Sequence, residues 1–239
     1  MSVIHKLDRT NGLDLILHTP GGDMAATESL VDYLRSMFGN DIRAIVPQLA
    51  MSGGTIIALA CKQIVMGKES SIGPIDPQFG SMAATGLLQE FERIRAEIQK
   101  DSSNALLWEP ILRKIQPGFI TECENAVRWA RDMAERFLKE NMFSNEKNAK
   151  KKIDPIIRHL TEKQTTITHG RHIGLDEAKA LFGDKIILLE DDQTFQDLVL
   201  TVHHASVITL QATPAFKMIE NHNGRAFMQI QQQMQVIGS

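Results

Sequence analysis

The sequence predicts an α/β fold in which helices cover a parallel sheet. Short apolar runs alternate with segments of helical periodicity over roughly the first 70 residues, and a glycine-rich turn twice connects such a run to a helix. The same alternation returns after residue 170. Strands that alternate with helices in this way are typical of a parallel sheet buried on both faces.

The first third of the chain supplies the core of this prediction. Glycines break the pattern after the first strand and at Gly39, where the first helix should end. In chain order, the predicted elements are a strand at 13–18, a helix over 24–38, a strand at 42–46, a helix that begins at Ser52 and a strand at 64–67.

The remaining elements are predicted from the same patterns. Charged helical periodicity with a break at Trp108–Pro110 predicts a helical insertion at 87–117, and an apolar stripe predicts a long amphipathic helix over 121–143. The later elements are a strand at 166–168, a helix at 176–182, a strand at 185–189, a helix at 193–210 and a hairpin of 216–219 with 226–230. Residues 1–190 are expected to form one domain, to which 191–239 add a helix and a hairpin for homo-oligomer packing.

Composition narrows the function classes. Lys and Arg total 26 against 29 Asp and Glu, and the net charge of -3 gives no reason to expect a nucleic-acid partner. Cys61 and Cys123 lack metal-ligand spacing and are predicted to be buried free thiols, which favours a cytoplasmic location. No window is long and apolar enough to span a membrane, so membrane association is not indicated, although peripheral attachment is left open.

The two glycine-rich turns are the candidate site. Thr19–Asp23 and Ala50–Thr55 each follow a strand and open a helix, so their free backbone N–H groups should form an anion pocket at the carboxyl ends of the strands. Ser52 is placed to attack a carbonyl there, while N–H groups near Gly22 and Gly53 stabilise the oxyanion. On local sequence alone, Ser52 could instead cap the helix. Phosphate binding is weakly supported, because no nucleotide-binding glycine motif is present.

The motifs in these turns resemble those of a known family. The segments 18–23 (HTPGGD), 51–55 (MSGGT), 64–67 (IVMG), 70–78 (SSIGPIDPQ) and 168–178 (THGRHIGLDEA) are similar to the serine dehydrogenase proteinase family. That family belongs to the Clp-protease/crotonase superfamily, together with signal peptide peptidase A and the Clp proteolytic subunit. The resemblance implies a superhelix of ββα units, Ser52 as the nucleophile, Gly22 and Gly53 as oxyanion donors, and Gly21 as the residue that shapes the turn.

The general base is less well defined. The Clp subunit carries a His after its nucleophile, but the corresponding segment here, 73–77, contains none. His169 lies in the segment that carries the third triad residue in the Clp subunit, and imidazole titrates in the useful pH range. His169 is therefore the predicted base and Asp76 its possible orienter, although a loop histidine and a turn aspartate are the plainer interpretations.

A lysine is the other candidate base, because related membrane peptidases use one on the long downstream helix. The basic residues predicted to point inward on that helix are Arg128 and Arg131, whose pKa is too high for a base. Lys139 lies at the exposed end of the same helix, and Lys100 is a further lysine to test.

The sequence thus predicts a serine endopeptidase that hydrolyses peptides or unfolded proteins through an acyl-enzyme on Ser52. No cofactor is expected, and the spacing of His169 and His172 does not by itself predict a metal site. Bulky residues at Gly22 or Gly53 should obstruct the oxyanion N–H groups. Two alternatives stay open: an acyl-CoA enzyme of the same fold, and a non-catalytic peptide-binding scaffold. The missing Clp-type His and the short segment before residue 13 favour the scaffold.

Overall fold

The computed structural model describes residues 2–80, 82–161 and 171–231. The strands are β1 (Leu13–Ile16), β2 (Ile42–Val46), β3 (Leu49–Ala50), β4 (Gln63–Met66), β5 (Ser71–Ile72), β6 (Gln78–Phe79), β7 (Met82–Ala83), β8 (Ile173–Gly174), β9 (Ile186–Leu188), β10 (Ala215–Glu220) and β11 (Ala226–Ile230). The helices are α1 (Met24–Phe38), α2 (Gly53–Leu59), α3 (Ala84–Lys100), α4 (Ala105–Leu112), α5 (Phe119–Phe137), α6 (Ala149–Thr161), α7 (Leu175–Phe182) and α8 (Gln193–Ala212).

A four-stranded parallel sheet organises the described fold. Its strand order is β1-β2-β4-β9, and every neighbouring pair is parallel. A second small sheet pairs β3 with β5 in parallel and β5 with β8 antiparallel. This arrangement confirms the mixed α/β fold predicted from the alternating pattern.

Apolar side chains are buried on both faces of the main sheet. The larger cluster packs α1, α2, α5, α6 and α7 against the sheet, with Phe137 and Ile156 fully buried. On the other face, Val199 of α8 packs with Ile45, Val65 and Leu189. Burial on both faces is the reason why residues 44–46 of β2 and 64–66 of β4 are consecutive apolar residues without alternation.

The middle of the chain departs from the prediction in its details. The insertion is helical, but its break lies at 101–104, and α4 continues through Pro110. The long amphipathic helix begins at Phe119 and ends in a π-helical turn, Leu138–Met142. Helix α6 was not predicted, because its Lys-rich start and Pro155 obscure the helical periodicity. The predicted strand at 166–168 lies outside the described residues.

The C-terminal helix and hairpin match the prediction, and β10 pairs with β11 across the turn at 222–224. Among the described residues, β10 and β11 form a sheet of their own. Every residue of β11 is exposed. No helix within the described ranges is long and apolar enough to cross a membrane.

Candidate active site

Ser52 lies at a strained turn between β3 and α2. Its backbone angles are φ 51° and ψ -113°, and it is the one non-glycine residue with positive φ in the described part of the chain. The side chain makes no capping hydrogen bond to α2, so the alternative role as a side-chain N-cap is not supported by the geometry. Strain of this kind persists only where the surrounding structure enforces it, and it is concentrated at functional sites.

The Gly21–Gly22 turn packs directly against Ser52 and Gly53. Gly21 has φ +121°, and a Cβ added to it would lie 2.8 Å from Ser52 Cβ. A Cβ on Gly53 would lie 2.7 Å from Thr27 Oγ1 and 3.4 Å from Gly22 N. The two turns therefore meet without room for side chains at Gly21 and Gly53.

Gly22 differs from its neighbours in its packing. A Cβ added there would meet nothing within 4 Å. A side chain at Gly22 would therefore not clash within the turn but would enter the cleft described below, and its predicted obstruction of the oxyanion amides stays a prediction. Close packing applies to Gly21 and Gly53 instead.

Three threonines hold the turns in place. Thr19 Oγ1 accepts a hydrogen bond from Gly21 N at 3.1 Å, and Thr19 O accepts one from Met51 N at 3.0 Å. Thr55 Oγ1 donates to Ala50 O at 2.8 Å and accepts from Gly73 N at 3.0 Å. Buried Thr27 donates to Asp23 O at 2.8 Å and packs against Gly53. These bonds fix the backbone on both sides of Ser52.

The amides of Gly22 and Gly53 are available to a ligand. Neither N–H donates to an acceptor among the described residues. Gly53 is the first residue of α2, where the helix leaves its N–H groups unsatisfied and carries partial positive charge. Two unengaged amides beside a serine hydroxyl can stabilise an oxyanion formed on an attacked carbonyl.

A cleft of about 370 Å³ opens beside Ser52. Apolar side chains supply most of its walls, and Asp23 is the titratable residue in its lining. The lining residues are Pro20, Gly22, Asp23, Met24, Ser52, Ile56, Ile75, Pro77, Gln78, Phe79, Ala126 and Trp129.

Of the predicted base, His169, and its orienter, Asp76, the structure describes only Asp76. His169 lies outside the described residues, so its role stays a prediction. Asp76 is 4% exposed, and one carboxylate oxygen accepts a hydrogen bond from Thr85 Oγ1 at 2.7 Å. The residues on either side of it, Ile75 and Pro77, line the cleft. Asp76 is thus a buried, hydrogen-bonded carboxylate next to the cleft wall.

The lysines and arginines considered as alternative bases are all exposed to solvent. Arg128 and Arg131 are exposed, so the prediction that they point inward was wrong, because the buried stripe of α5 runs along its other face. Lys100 and Lys139 are exposed as well. No lysine, arginine or histidine of the described chain lines the cleft.

The contact between His203 and His18 was missed from the sequence. His203 was expected to be an ordinary surface or helix residue but is 6% exposed, and its Nε2 lies 3.0 Å from Nδ1 of His18 at the end of β1. Burial lowers the pKa of both imidazoles. His203 follows Val199 by four residues and so lies on the same face of α8, but the apolar pattern of α8 alone does not identify this face as the one that docks on the sheet.

Ser71 and His172 form a second serine–histidine contact, with Ser71 Oγ 2.7 Å from His172 Nδ1. Ser71 lies within β5, and its N–H donates to Gln48 O. It therefore has neither a strained turn nor a helix start beside it. The contact ties β5 to the start of β8 and does not resemble a nucleophile with an oxyanion pocket.

The two cysteines are free thiols, and the described side chains form no metal site. Cys61 and Cys123 are both free and buried, as predicted, and burial raises the pKa of the Cys61 thiol to about 12. Within the ranges that the structure describes, no group of three or more His, Cys, Asp and Glu side chains is arranged to bind a metal ion.

Comparison with known proteins places this geometry in a family. Residues 2–185 match the ClpP-like SDH-type serine proteinases. The uncharacterized proteins MJ0137 and MJ1495 of Methanocaldococcus jannaschii are 30% identical over 181 residues and 38% identical over 102 residues. These matches cover 76% and 43% of the chain but only 56% and 34% of the two relatives. The family match spans most of the chain, including both glycine turns, and the chain therefore belongs to the ClpP-like SDH-type serine proteinase family.

Proposed function

We propose that this protein is a serine endopeptidase with Ser52 as its nucleophile. The observation that carries the proposal is the strained backbone of Ser52, held between a packed Gly-Gly turn and the first turn of α2. A helix cap would not need this conformation, since caps ordinarily have extended backbone angles. A nucleophile benefits from it, because a serine in this turn lies next to the unengaged amides of Gly22 and Gly53.

The proposed reaction proceeds through an acyl-enzyme. Ser52 Oγ attacks the scissile carbonyl while a base takes its proton, and the amides of Gly22 and Gly53 stabilise the resulting oxyanion. The proton then passes to the departing amine, and water hydrolyses the ester that is left on Ser52. His169 is the proposed base with Asp76 as its orienter, and a lysine is the alternative. This chemistry requires no cofactor.

Peptides or unfolded proteins are the proposed substrates. The cleft is mainly apolar and opens to solvent, so an extended peptide segment can enter it. An acyl-CoA substrate is the weaker candidate, because crotonase chemistry uses the oxyanion amides but has no need for a strained serine between them.

Hydrolysis of a quenched fluorescent peptide library by wild type and Ser52→Ala tests the function. Ser52→Ala should abolish turnover, since a nucleophile has no substitute, and its thermal stability should stay close to wild type because no capping bond is lost. Ser71→Ala is the matched control, since it removes the hydroxyl of the other serine–histidine contact and should retain most activity. Equal activity of wild type and Ser52→Ala would contradict the proposal. A wild type that cleaves nothing but binds peptides would favour the scaffold.

We also propose that α8 and the β10–β11 hairpin pack against a second copy of this chain. Residues 198–212 contain no Asp, Glu, Lys or Arg, yet Leu198, Val202 and Ile208 are exposed. Phe216 and Phe227 of the hairpin are exposed as well, and a two-stranded hairpin alone is only marginally stable in water. Light scattering of wild type and Val202→Glu checks this, and a wild-type monomer at micromolar concentration would contradict it.

A further inference from the structure

The cleft beside Ser52 combines an apolar interior with a carboxylate, Asp23, that forms no ion pair within the described chain. Met24, Ile56, Ile75 and Phe79 provide apolar lining. Asp23 is exposed at the start of α1, where its Oδ1 accepts a hydrogen bond from Ala26 N at 2.8 Å. Asp23 forms no ion pair with any residue that the structure describes, so no described cationic side chain neutralises its charge beside the cleft.

Trp129 also lines the cleft, and a hydrogen bond holds its indole ring. Its Nε1 donates to Glu28 Oε2 at 3.1 Å, and 40% of the residue is exposed. Glu28 is itself paired with Arg136, with a nitrogen-to-oxygen distance of 2.6 Å. The hydrogen bond and the ion pair thus hold the indole in place. The charge of Glu28 is neutralised by Arg136, whereas the charge of Asp23 is not neutralised by a described cation.

These features match a side chain with an apolar stem and a cationic head. The stem of lysine or arginine can pack along Met24 and Ile56, while its head reaches a carboxylate at the rim and an indole ring, both of which attract cations. No lysine or arginine of the described chain lines the cleft, so none of the described lining residues would repel such a head. An acidic side chain would meet the charge of Asp23 directly.

We propose that the cleft selects substrates with lysine or arginine next to the scissile bond, and that Asp23 and Trp129 are the residues that determine this specificity. The inference rests on the proposed peptidase function, because it assigns the side chain that the cleft receives while Ser52 acts on the neighbouring carbonyl. It adds to that function a substrate class and two residues with a recognition role.

Matched peptides test the specificity. A library digested by wild type and analysed by mass spectrometry first identifies the cleaved positions. The preferred position is then filled with lysine, with norleucine as the uncharged analogue, or with glutamate. Lysine should exceed norleucine in kcat/KM by about fivefold to tenfold, as expected for a partly exposed ion pair with a cation–π contact. The ratio should fall toward 1 in 1 M salt, which screens exposed charges.

Asp23→Asn isolates the charge, because asparagine caps a helix about as well as aspartate. The lysine-to-norleucine ratio should fall by about twofold to fivefold in this variant. Asp192→Asn is the control, since Asp192 caps α8 by accepting from Phe195 N at 2.9 Å and lies outside the cleft lining. It should leave the ratio at the wild-type value. Trp129→Leu should lower the ratio as well.

The outcomes separate this inference from the function on which it rests. Peptide cleavage with a lysine-to-norleucine ratio near 1, or a ratio that Asp23→Asn does not change, would overturn the inference and leave the peptidase function standing. If no peptide is cleaved, calorimetric binding to Ser52→Ala of two peptides that differ only by lysine or norleucine at one central position decides the specificity alone. Equal affinities there would also overturn it.

Discussion

Replacement of Ser52 by glycine should make the protein more stable while abolishing its activity. The backbone of Ser52 occupies a region, φ 51° and ψ -113°, that glycine adopts without a steric penalty. A non-glycine residue held in such a sparsely populated region costs about 1–3 kcal/mol. Against this gain, glycine loses about 0.5–1 kcal/mol through the greater freedom of the unfolded chain. The net free energy of unfolding should therefore rise by about 1 kcal/mol.

Two comparisons make this effect specific to the strained turn. Ser52→Ala also removes the hydroxyl but keeps the Cβ, and therefore the strain, so its stability should stay near that of wild type. Ser29→Gly places glycine at an exposed position within α1 and should destabilise by about 0.5–1 kcal/mol. The two glycine substitutions thus have opposite predicted signs.

Urea and thermal unfolding of the four proteins provide the measurement. A gain of 1 kcal/mol corresponds to an increase in Tm of about 2–4 °C for a chain of this size. If Ser52→Gly is less stable than Ser52→Ala, the turn does not store strain in the folded state. If Ser52→Gly still hydrolyses peptides, the strained serine is not the nucleophile.

Three further predictions concern the glycines, the histidine pair and the base. Gly53→Ala should lower kcat about 10²–10³-fold, because its Cβ would lie 2.7 Å from Thr27 Oγ1 and displace the amide. Gly22→Ala should lower kcat less than about tenfold, since its Cβ has no close neighbour. Equal losses of kcat in steady-state assays of the two variants would contradict this prediction. Burial lowers the pKa of His203 and His18, so the unfolded chain binds more protons below pH about 6.5, and the free energy of unfolding should fall as pH drops from 7.5 to 5.5. Urea titrations should show a smaller fall in His203→Asn, and an identical fall would refute that source. If His169 is the base, a pH–rate profile should rise through about 6.5 and His169→Ala should remove most activity; a rise at about 7–8 that the variant keeps would indicate a lysine.

The main sheet and both glycine turns could be predicted because their signals are local. Apolar runs such as 44–46 and 64–66 are buried on both faces, and the glycine-rich turns follow or precede such strands closely in the chain. The position of Ser52 at a helix start followed from the same local pattern. Its positive φ, by contrast, depends on contacts with a turn about thirty residues earlier in the chain, which local sequence does not encode.

The features that were missed depend on contacts between distant elements. His203 is buried because α8 docks on the sheet beside His18, and nothing in the apolar pattern of α8 identifies which of its faces docks. The difference between Gly22 and Gly53 is of the same kind, since both belong to Gly-Gly pairs but only Gly53 faces Thr27. Helix α6 was obscured by Pro155 and by its charged first turn.

Labelling with a fluorophosphonate probe tests the central claim most directly, because the probe forms a covalent bond only with a serine that is activated as a nucleophile. Intact-mass analysis of folded wild type should show one adduct per chain, and peptide mapping should place it on Ser52. Ser52→Ala and heat-unfolded wild type should remain unlabelled, while Ser71→Ala should be labelled like wild type. An adduct on another serine, or no adduct where a known serine hydrolase is fully labelled, would contradict the assignment of Ser52 as the nucleophile.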